Sequence, residues 1–144
     1  MRKNSTSWLL AAAALSWCTL AQAAEVKVAP YGVTKDGRQV KAFTLINDKG
    51  ASATVLDYGG SVSAVMVPDR NGKLGNTVMA FKDLAGWEAG GHVNAITGRY
   101  ANTIINGFDL DGVHYPLHPD ARGVTMHGGV DQYARRVWKA LRMS

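Results

Sequence analysis

Apolar and polar positions alternate over short stretches in the middle of the chain, and turn-forming residues separate these stretches. Each stretch is rich in β-branched or aromatic residues and is bounded by Gly, Asn or Asp, which is the pattern of a strand. Pro68 ends the third stretch, because proline lacks the N–H that a central strand needs. The pattern therefore predicts four successive strands, at residues 39–47, 52–57, 61–67 and 76–81.

A β-hairpin is predicted further along the chain. Between residues 108 and 117, aromatic and aliphatic residues alternate with Asp and His. The dipeptide Asp111-Gly112 is one that two-residue hairpin turns favour, so we expect strands near 104–110 and 113–117. Strands that recur this closely, with turns between them, predict an all-β protein built as an antiparallel sandwich or barrel.

Helix is predicted at two places at most. The stretch Asp83–Glu88, "DLAGWE", is long enough for one helical turn. In residues 131–141, Tyr133, Val137 and Leu141 recur at helical spacing, which favours a helix. The aromatic and β-branched content around Val137-Trp138 also allows a strand there.

The first residues have the layout of a secretory signal peptide. Arg2 and Lys3 form a basic start, residues 8–20 form an apolar run, and Ala21-Gln22-Ala23 is a small-x-small cleavage signature. The run is shorter than the roughly 20 apolar residues of a spanning helix. We expect cleavage after Ala23.

Cleavage would leave residues 24–144 as an exported protein, periplasmic or secreted, with no membrane association. Two alternatives are an uncleaved signal anchor and a lipoprotein modified at Cys18, where the bulky Trp17 precedes the cysteine. Cys18 is the only cysteine of the chain. The exported protein would therefore have no disulfide and would depend on a packed apolar core.

The charge pattern excludes a typical nucleic-acid binder. The whole chain has a formal net charge of +5, and removal of Arg2 and Lys3 leaves a weakly basic protein. The remaining basic residues are scattered, and only Arg135-Arg136 are adjacent. A nucleic-acid partner would require a clustered basic surface, so none is predicted.

Motifs for metal, nucleophilic or phosphate chemistry are missing from the sequence. The stretch 109–112, "DLDG", is similar to the start of a calcium loop, but the further oxygen ligands of such a loop do not follow. No H-x-x-E-H or C-x-x-C spacing occurs, and the glycine pairs do not match a phosphate-binding loop. We therefore predict no metal and no cofactor.

Two polar stretches are candidates for ligand binding. The first, 98–107, "GRYANTIING", contains Asn102 and Thr103 and could contact a hydroxylated ligand or satisfy backbone groups at the start of a strand. The second is "TMHGG", in which His127 can donate or accept a hydrogen bond and the two glycines allow close backbone approach. The residues alone allow both a structural and a binding role.

Taken in order, several stretches resemble the aldose 1-epimerase (galactose mutarotase) family over roughly residues 31 to 138. The similarity depends on the order and spacing of the motifs, since each motif is weak alone. The motifs are Tyr31-Gly32, "TKDGRQVKAFTLIND", "LDYGG" at 56–60, "VPDRNG" at 67–72, "GRYAN" at 98–102, "FDLDGVHYPL" at 108–117, "MHGG" at 126–129 and Trp138.

The resemblance implies a large antiparallel β-sandwich of the galactose mutarotase type, present here as its N-terminal part. It implies an aldose as the small-molecule partner and interconversion of its α and β anomers through the open-chain sugar. That reaction needs a general acid for the ring oxygen and a general base for the anomeric hydroxyl. It implies no cofactor and no metal.

The resemblance also assigns roles to residues. Asn102 matches a family asparagine that contacts the sugar. His127 matches a family histidine that hydrogen-bonds sugar hydroxyls and supports the acid. Thr103 stands where the family usually has arginine, and its hydroxyl has neither the charge nor the reach of a guanidinium.

The family's general acid, a histidine, and its general base, a glutamate, follow the tryptophan element. By the resemblance both lie beyond Ser144, so we expect no catalytic residue within this chain, and we expect residues 24–144 alone to be inactive and prone to aggregate. A non-catalytic carbohydrate-binding sandwich and a non-functional truncated product are the alternatives.

Overall fold

A computed structural model of the protein describes residues 25–141. The predicted signal peptide, its cleavage site and Cys18 lie outside these residues. Among residues 25–141, no helix has the length and apolar character to cross a membrane.

The main structural unit is one antiparallel sheet of five strands in sequential order. The second, third and fourth strands confirm three of the sequence predictions. The first strand was missed, although Val26 and Val28 alternate with Glu25 and Lys27 in the manner of a strand. The strands are β1 (Glu25–Val33), β2 (Gln39–Ile46), β3 (Ser52–Leu56), β4 (Val62–Pro68) and β5 (Leu74–Asn76).

The strand predicted at residues 76–81 is wrong. Strand β5 ends at Asn76, and beyond it the only backbone N–H that still donates to β4 is that of Thr77, at the Val65 carbonyl. Phe81 instead meets the ring of Trp87 edge to face, with centroids 5.1 Å apart. Packing against the helix therefore outweighs the strand propensity of this apolar run.

The predicted hairpin is confirmed in part. Strands β7 (Phe108–Leu110) and β8 (Val113–Tyr115) are joined by Asp111-Gly112, which both have positive φ angles as a two-residue hairpin turn requires. The predicted strand 104–110 is wrong in extent, because Asn106-Gly107 also has positive φ angles and interrupts it. Its first part, β6 (Thr103–Ile105), pairs instead with β9 (Val124–Met126).

The core lies between one face of the five-stranded sheet and helix α1 (Leu84–Gly90), which confirms the helical turn predicted at Asp83–Glu88. Asp83 caps the helix by accepting the N–H of Gly86 at 3.0 Å. Trp87 is buried and donates its indole N–H to the hydroxyl of Tyr31 at 3.0 Å, which ties α1 to β1. The buried cluster is Val40, Leu56, Tyr58, Leu84 and Trp87.

The helix favoured at residues 131–141 is wrong, and the alternative strand around Val137 is observed only as a single bridge. Residues Tyr133–Arg135 form one 3₁₀ turn, after which Val137 pairs with Tyr58 in an isolated antiparallel bridge. Flanking hydrogen bonds join Gly59 N–H to the Arg136 carbonyl at 2.7 Å and Trp138 N–H to the Asp57 carbonyl at 2.8 Å. The chain that directly follows β3 therefore holds this segment in extended form.

The opposite face of the sheet is apolar and open. Val26, Val28 and Leu45 each expose about half of their surface. They line an open groove of about 950 Å³ together with Phe43, Val55, Trp138 and Leu141. A sheet face of this composition is normally covered by a second layer in a sandwich.

Candidate functional site

Asn102 and His127 lie opposite each other at one end of the β6–β9 pair. Asn102 directly precedes β6 and His127 directly follows β9, whose register pairs Thr103 with Met126. The His127 N–H donates to the Asn102 carbonyl at 2.9 Å, and the Asn102 N–H donates to Nδ1 of His127, also at 2.9 Å. The pairing of two short strands therefore brings together two of the three predicted site residues.

Both residues adopt left-handed backbone conformations. Asn102 has φ of 64° and His127 has φ of 51°. Such angles are uncommon for residues other than glycine, although Asn and His tolerate them better than most. Their occurrence on both sides of one hydrogen-bonded pair fits a segment whose backbone is held for a functional purpose.

The hydrogen bond from Asn102 determines which His127 nitrogen carries the proton. Because the backbone N–H of Asn102 can only donate, Nδ1 of His127 must present its lone pair. The neutral ring therefore carries its hydrogen on Nε2 and can donate from that atom. His127 is half-buried, so its ring is held by the protein while remaining accessible.

Thr103 completes the predicted set and is exposed, as is Asn102. Its hydroxyl lies 3.4 Å from Oδ1 of Asn102, a long and weak hydrogen bond. The Asn102 amide, the Thr103 hydroxyl and the His127 ring thus lie within one short edge of the β6–β9 pair. Amides, hydroxyls and imidazoles are groups that bind sugar hydroxyls through paired donors and acceptors.

The backbone beneath His127 is held by close packing of two glycines. A Cβ on Gly128 would collide with the carbonyl oxygen of Gly98, and Gly128 has φ of 97°. Tyr133 packs against Gly98 and donates its N–H to the Gly98 carbonyl at 3.2 Å. The "GRYAN" and "MHGG" motifs therefore form one packed unit.

An aromatic and basic cluster supports this unit. The guanidinium of Arg136 lies 5.2 Å and that of Arg99 5.9 Å from the centre of the Tyr133 ring, both within cation–π range. Trp138 meets Tyr133 edge to face and donates its indole N–H to the Tyr133 carbonyl at 3.2 Å. Trp138 therefore anchors the segment that follows "MHGG".

His92 also lies at the site, and the sequence prediction missed it. Its ring centre is 4.7 Å from that of His127, with the ring planes 62° apart. Its Nδ1 is buried and has no hydrogen-bond partner among residues 25–141. Burial, followed by the nearby His127 and Arg135, lowers the pKa of His92 below its usual value. A lone histidine in a glycine-rich loop carries no local signal of this contact.

The other histidines lie elsewhere. His114, on β8, pairs with Asp109 at 2.9 Å and is exposed. His118 lines a cavity of about 160 Å³ next to Gly128, together with Tyr100 and Asp131. Among the described residues, no group of three or more His, Cys, Asp or Glu side chains is placed to hold a metal ion.

Comparison with known proteins shows which family the sequence matches. The sequence model of the aldose 1-epimerase family matches residues 41–144. The chain belongs to the aldose 1-epimerase family. Galactose mutarotase of Rattus norvegicus is 31% identical over 104 residues, which are 71% of this chain and 30% of the relative. Aldose 1-epimerase of Escherichia coli strain K12 is 27% identical over 111 residues, or 72% of this chain and 31% of the relative.

The fold of this aldose 1-epimerase family member is also that of its solved relatives. The crystal structure of galactose 1-epimerase from Lactobacillus acidophilus superposes with a TM-score of 0.65 at 21% identity, covering 80% of this chain and 33% of that one. The antiparallel all-β fold of the galactose mutarotase type is therefore confirmed. The chain spans about a third of the length of the relatives it matches.

Proposed function

We propose that this chain supplies a sugar-binding part of an isomerase of the aldose 1-epimerase type, in which Asn102, Thr103 and His127 contact the sugar. The observation that carries the proposal is the reciprocal pair of hydrogen bonds between Asn102 and His127. This pair fixes a neutral imidazole with a donating Nε2–H beside an exposed amide and an exposed hydroxyl. A pyranose, which presents adjacent hydroxyls, offers the matching acceptors and donors.

His127 is proposed to bind the sugar and not to transfer the reacting protons. A general base needs a free lone pair, and the Nδ1 lone pair of His127 is already occupied by the N–H of Asn102. The family resemblance assigns the acid and base roles to a histidine and a glutamate that follow the tryptophan element, and not to His127. We propose that the 144 residues without these groups bind an aldose but do not accelerate mutarotation.

We further propose that the protein is exported. The basic start, apolar run and Ala21-Gln22-Ala23 signature support cleavage after Ala23. The intact mass of protein recovered from the producing cell tests this proposal. A mass that begins at Ala24 supports export, and a mass that includes residues 1–23 contradicts it.

Binding and catalysis are tested separately. For binding, two-dimensional NMR follows residues 98–107 and 125–129 during titration with methyl α-galactopyranoside, which cannot mutarotate. Shifts in both segments at millimolar sugar, lost in His127→Ala and kept in the matched control His114→Ala, support the proposal. The absence of shifts in either segment would contradict it.

Polarimetry on freshly dissolved α-galactose or α-glucose tests the catalytic part. We expect the 144-residue chain to leave the rate of mutarotation at that of buffer. Acceleration that is abolished by His127→Ala would show that the acid and base lie within this chain.

A second candidate is a carbohydrate-binding protein without catalysis, and Thr103 favours it. The family usually places an arginine there, and the Thr103 hydroxyl cannot supply a charged bidentate contact. Thr103→Arg tests how the threonine changes the site. Tighter galactose binding in Thr103→Arg would indicate that the threonine has weakened the affinity of the site for galactose. Unchanged galactose binding, together with a preference for another aldose, would indicate that the specificity of the site has changed.

A further inference from the structure

The chain around His92 is held from the core side. Helix α1, which is anchored by buried Leu84 and Trp87, ends at Gly90. Gly91 closes the helix, with φ of 73° and its N–H donating to the Trp87 carbonyl at 3.2 Å. The His92 N–H then donates to the Gly90 carbonyl at 3.0 Å. His92 is therefore attached to the end of a helix that packs into the buried core.

The contact between the two imidazole rings restrains the tilt of the His127 ring, which the hydrogen bond from Asn102 does not. A single hydrogen bond at Nδ1 fixes one atom of the His127 ring but leaves the ring free to tilt about that bond. The His92 ring, inclined at 62° and centred 4.7 Å away, contacts the His127 ring itself and restricts this tilt. Edge-to-face packing of this kind has a preferred geometry.

We propose that His92 is a positioning residue, whose uncharged ring holds the plane of the His127 imidazole so that its Nε2–H points at the sugar. This inference rests on the proposed function, since it assigns His92 to the same sugar site. Two contacts, one from the Asn102 backbone and one from the His92 ring, then determine the orientation of His127. Preorganisation of this kind favours binding because less motion is lost when the ligand arrives.

The charges around His92 make its contact with the His127 ring sensitive to pH. The titratable and charged groups that face it are His127, at the end of β9, and Arg135, in the 3₁₀ turn at Tyr133–Arg135. Burial disfavours a positive charge on His92, and the nearby His127 and Arg135 act in the same direction. Acidification that protonates His92 therefore places a cation against His127, and we expect sugar binding to weaken.

Two substitutions separate ring packing from other roles. His92→Phe keeps a flat ring, removes the buried unpartnered Nδ1 and cannot take up a proton. His92→Ala removes the ring altogether. We expect His92→Ala to bind methyl α-galactopyranoside roughly tenfold more weakly, at the upper end of what an edge-to-face ring contact contributes. We expect His92→Phe to stay within about twofold of the wild type at pH 7.

The pH profile distinguishes positioning from a merely structural role. Between pH 7 and pH 4.5, affinity should fall less steeply in His92→Phe than in the wild type. The control His114→Ala, on the exposed β8 strand, should follow the wild type. Equal slopes in the wild type and in His92→Phe, or equal weakening by Phe and Ala at pH 7, would overturn the proposal.

A measurement without ligand keeps the test independent of the proposed function. The ¹⁵N shifts of His127 and the coupling of its ring to the Asn102 N–H report ring orientation directly. We expect these signals to be sharp in the wild type and in His92→Phe and averaged in His92→Ala. If none of the three proteins binds sugar but their His127 signals differ in this way, the proposed function fails and the positioning role stands. Identical His127 signals in all three proteins would overturn the positioning role.

Discussion

Asn102 and His127 hydrogen-bond each other twice, once through their backbones and once from the Asn102 N–H to Nδ1 of His127, both at 2.9 Å. The relationship depends on the β6–β9 pairing, which puts the end of one motif against the start of the other. It converts a titratable loop residue into an oriented hydrogen-bond donor.

Gly128→Ala should destabilise the protein by about 3 kcal/mol or more, because it adds a collision with the Gly98 carbonyl to an unfavourable backbone angle. The matched control is Gly112→Ala, where φ is 76° and nothing lies within 4 Å of the added Cβ. There we expect only the conformational cost of about 1 kcal/mol. Urea unfolding measures both, and equal losses would show that the Gly98–Gly128 approach is not tight.

Stability should fall as pH is lowered from 7 to 5, in part through His92. The pKa of His92 is lowered in the folded protein, so below its ordinary value of 6.5 the unfolded chain binds the proton more readily than the folded one. The stabilisation is complete above pH 6.5 and is lost as pH falls from there toward the folded pKa. Urea unfolding at both pH values should show a smaller loss in His92→Phe than in the wild type. The same loss in both proteins would contradict this account.

Asp36 should titrate near pH 2. The Arg38 side chain, followed by the Thr34 hydroxyl, hydrogen-bonds its carboxylate and lowers its pKa to about 2 from 3.8. In Arg38→Ala the pKa of Asp36 should rise toward 3.8, as followed by the carboxyl carbon in NMR titrations. Arg122→Ala is the control, because Arg122 pairs with Asp120 and should leave Asp36 unchanged. An Asp36 pKa that stays low in Arg38→Ala would show that Arg38 is not its main partner.

The open apolar face should make residues 24–144 self-associate when they are produced alone. Val26, Val28 and Leu45 present a contiguous exposed surface beside Trp138 and Leu141, and such surfaces favour association. Val28→Thr combined with Leu45→Lys should lower the sedimentation-average mass and the binding of a hydrophobic dye. Cooperative thermal unfolding of a monomer of the unsubstituted 24–144 would contradict the expectation.

The sequence predicts those parts of the fold that depend on local pattern. Strands β2, β3 and β4 and the Asp111-Gly112 turn follow from alternation and turn chemistry, which act within a few residues. The predictions for residues 76–81 and 131–141 were wrong because the structure of these segments depends on partners that are distant in the sequence. Phe81 packs on α1, and Val137 is captured by Tyr58.

The arrangement of the candidate site residues was predictable only in part. The family motifs identify Asn102, Thr103 and His127, and the structure brings them together at one strand end. The tautomer of His127 and the contact with His92 were not predictable, because both depend on how α1 and the β6–β9 pair pack in three dimensions. His92 and His127 share no motif in the sequence.

The most direct test of the central claim is the NMR titration with methyl α-galactopyranoside, followed at the Asn102 amide and at the His127 ring nitrogens. The account predicts a His127 ring protonated at Nε2 before sugar is added and a saturable shift of both signals at millimolar sugar, and it predicts that the shift of the Asn102 amide is lost in His127→Ala. A ring protonated at Nδ1, or signals that do not respond to any of several aldoses, would contradict it.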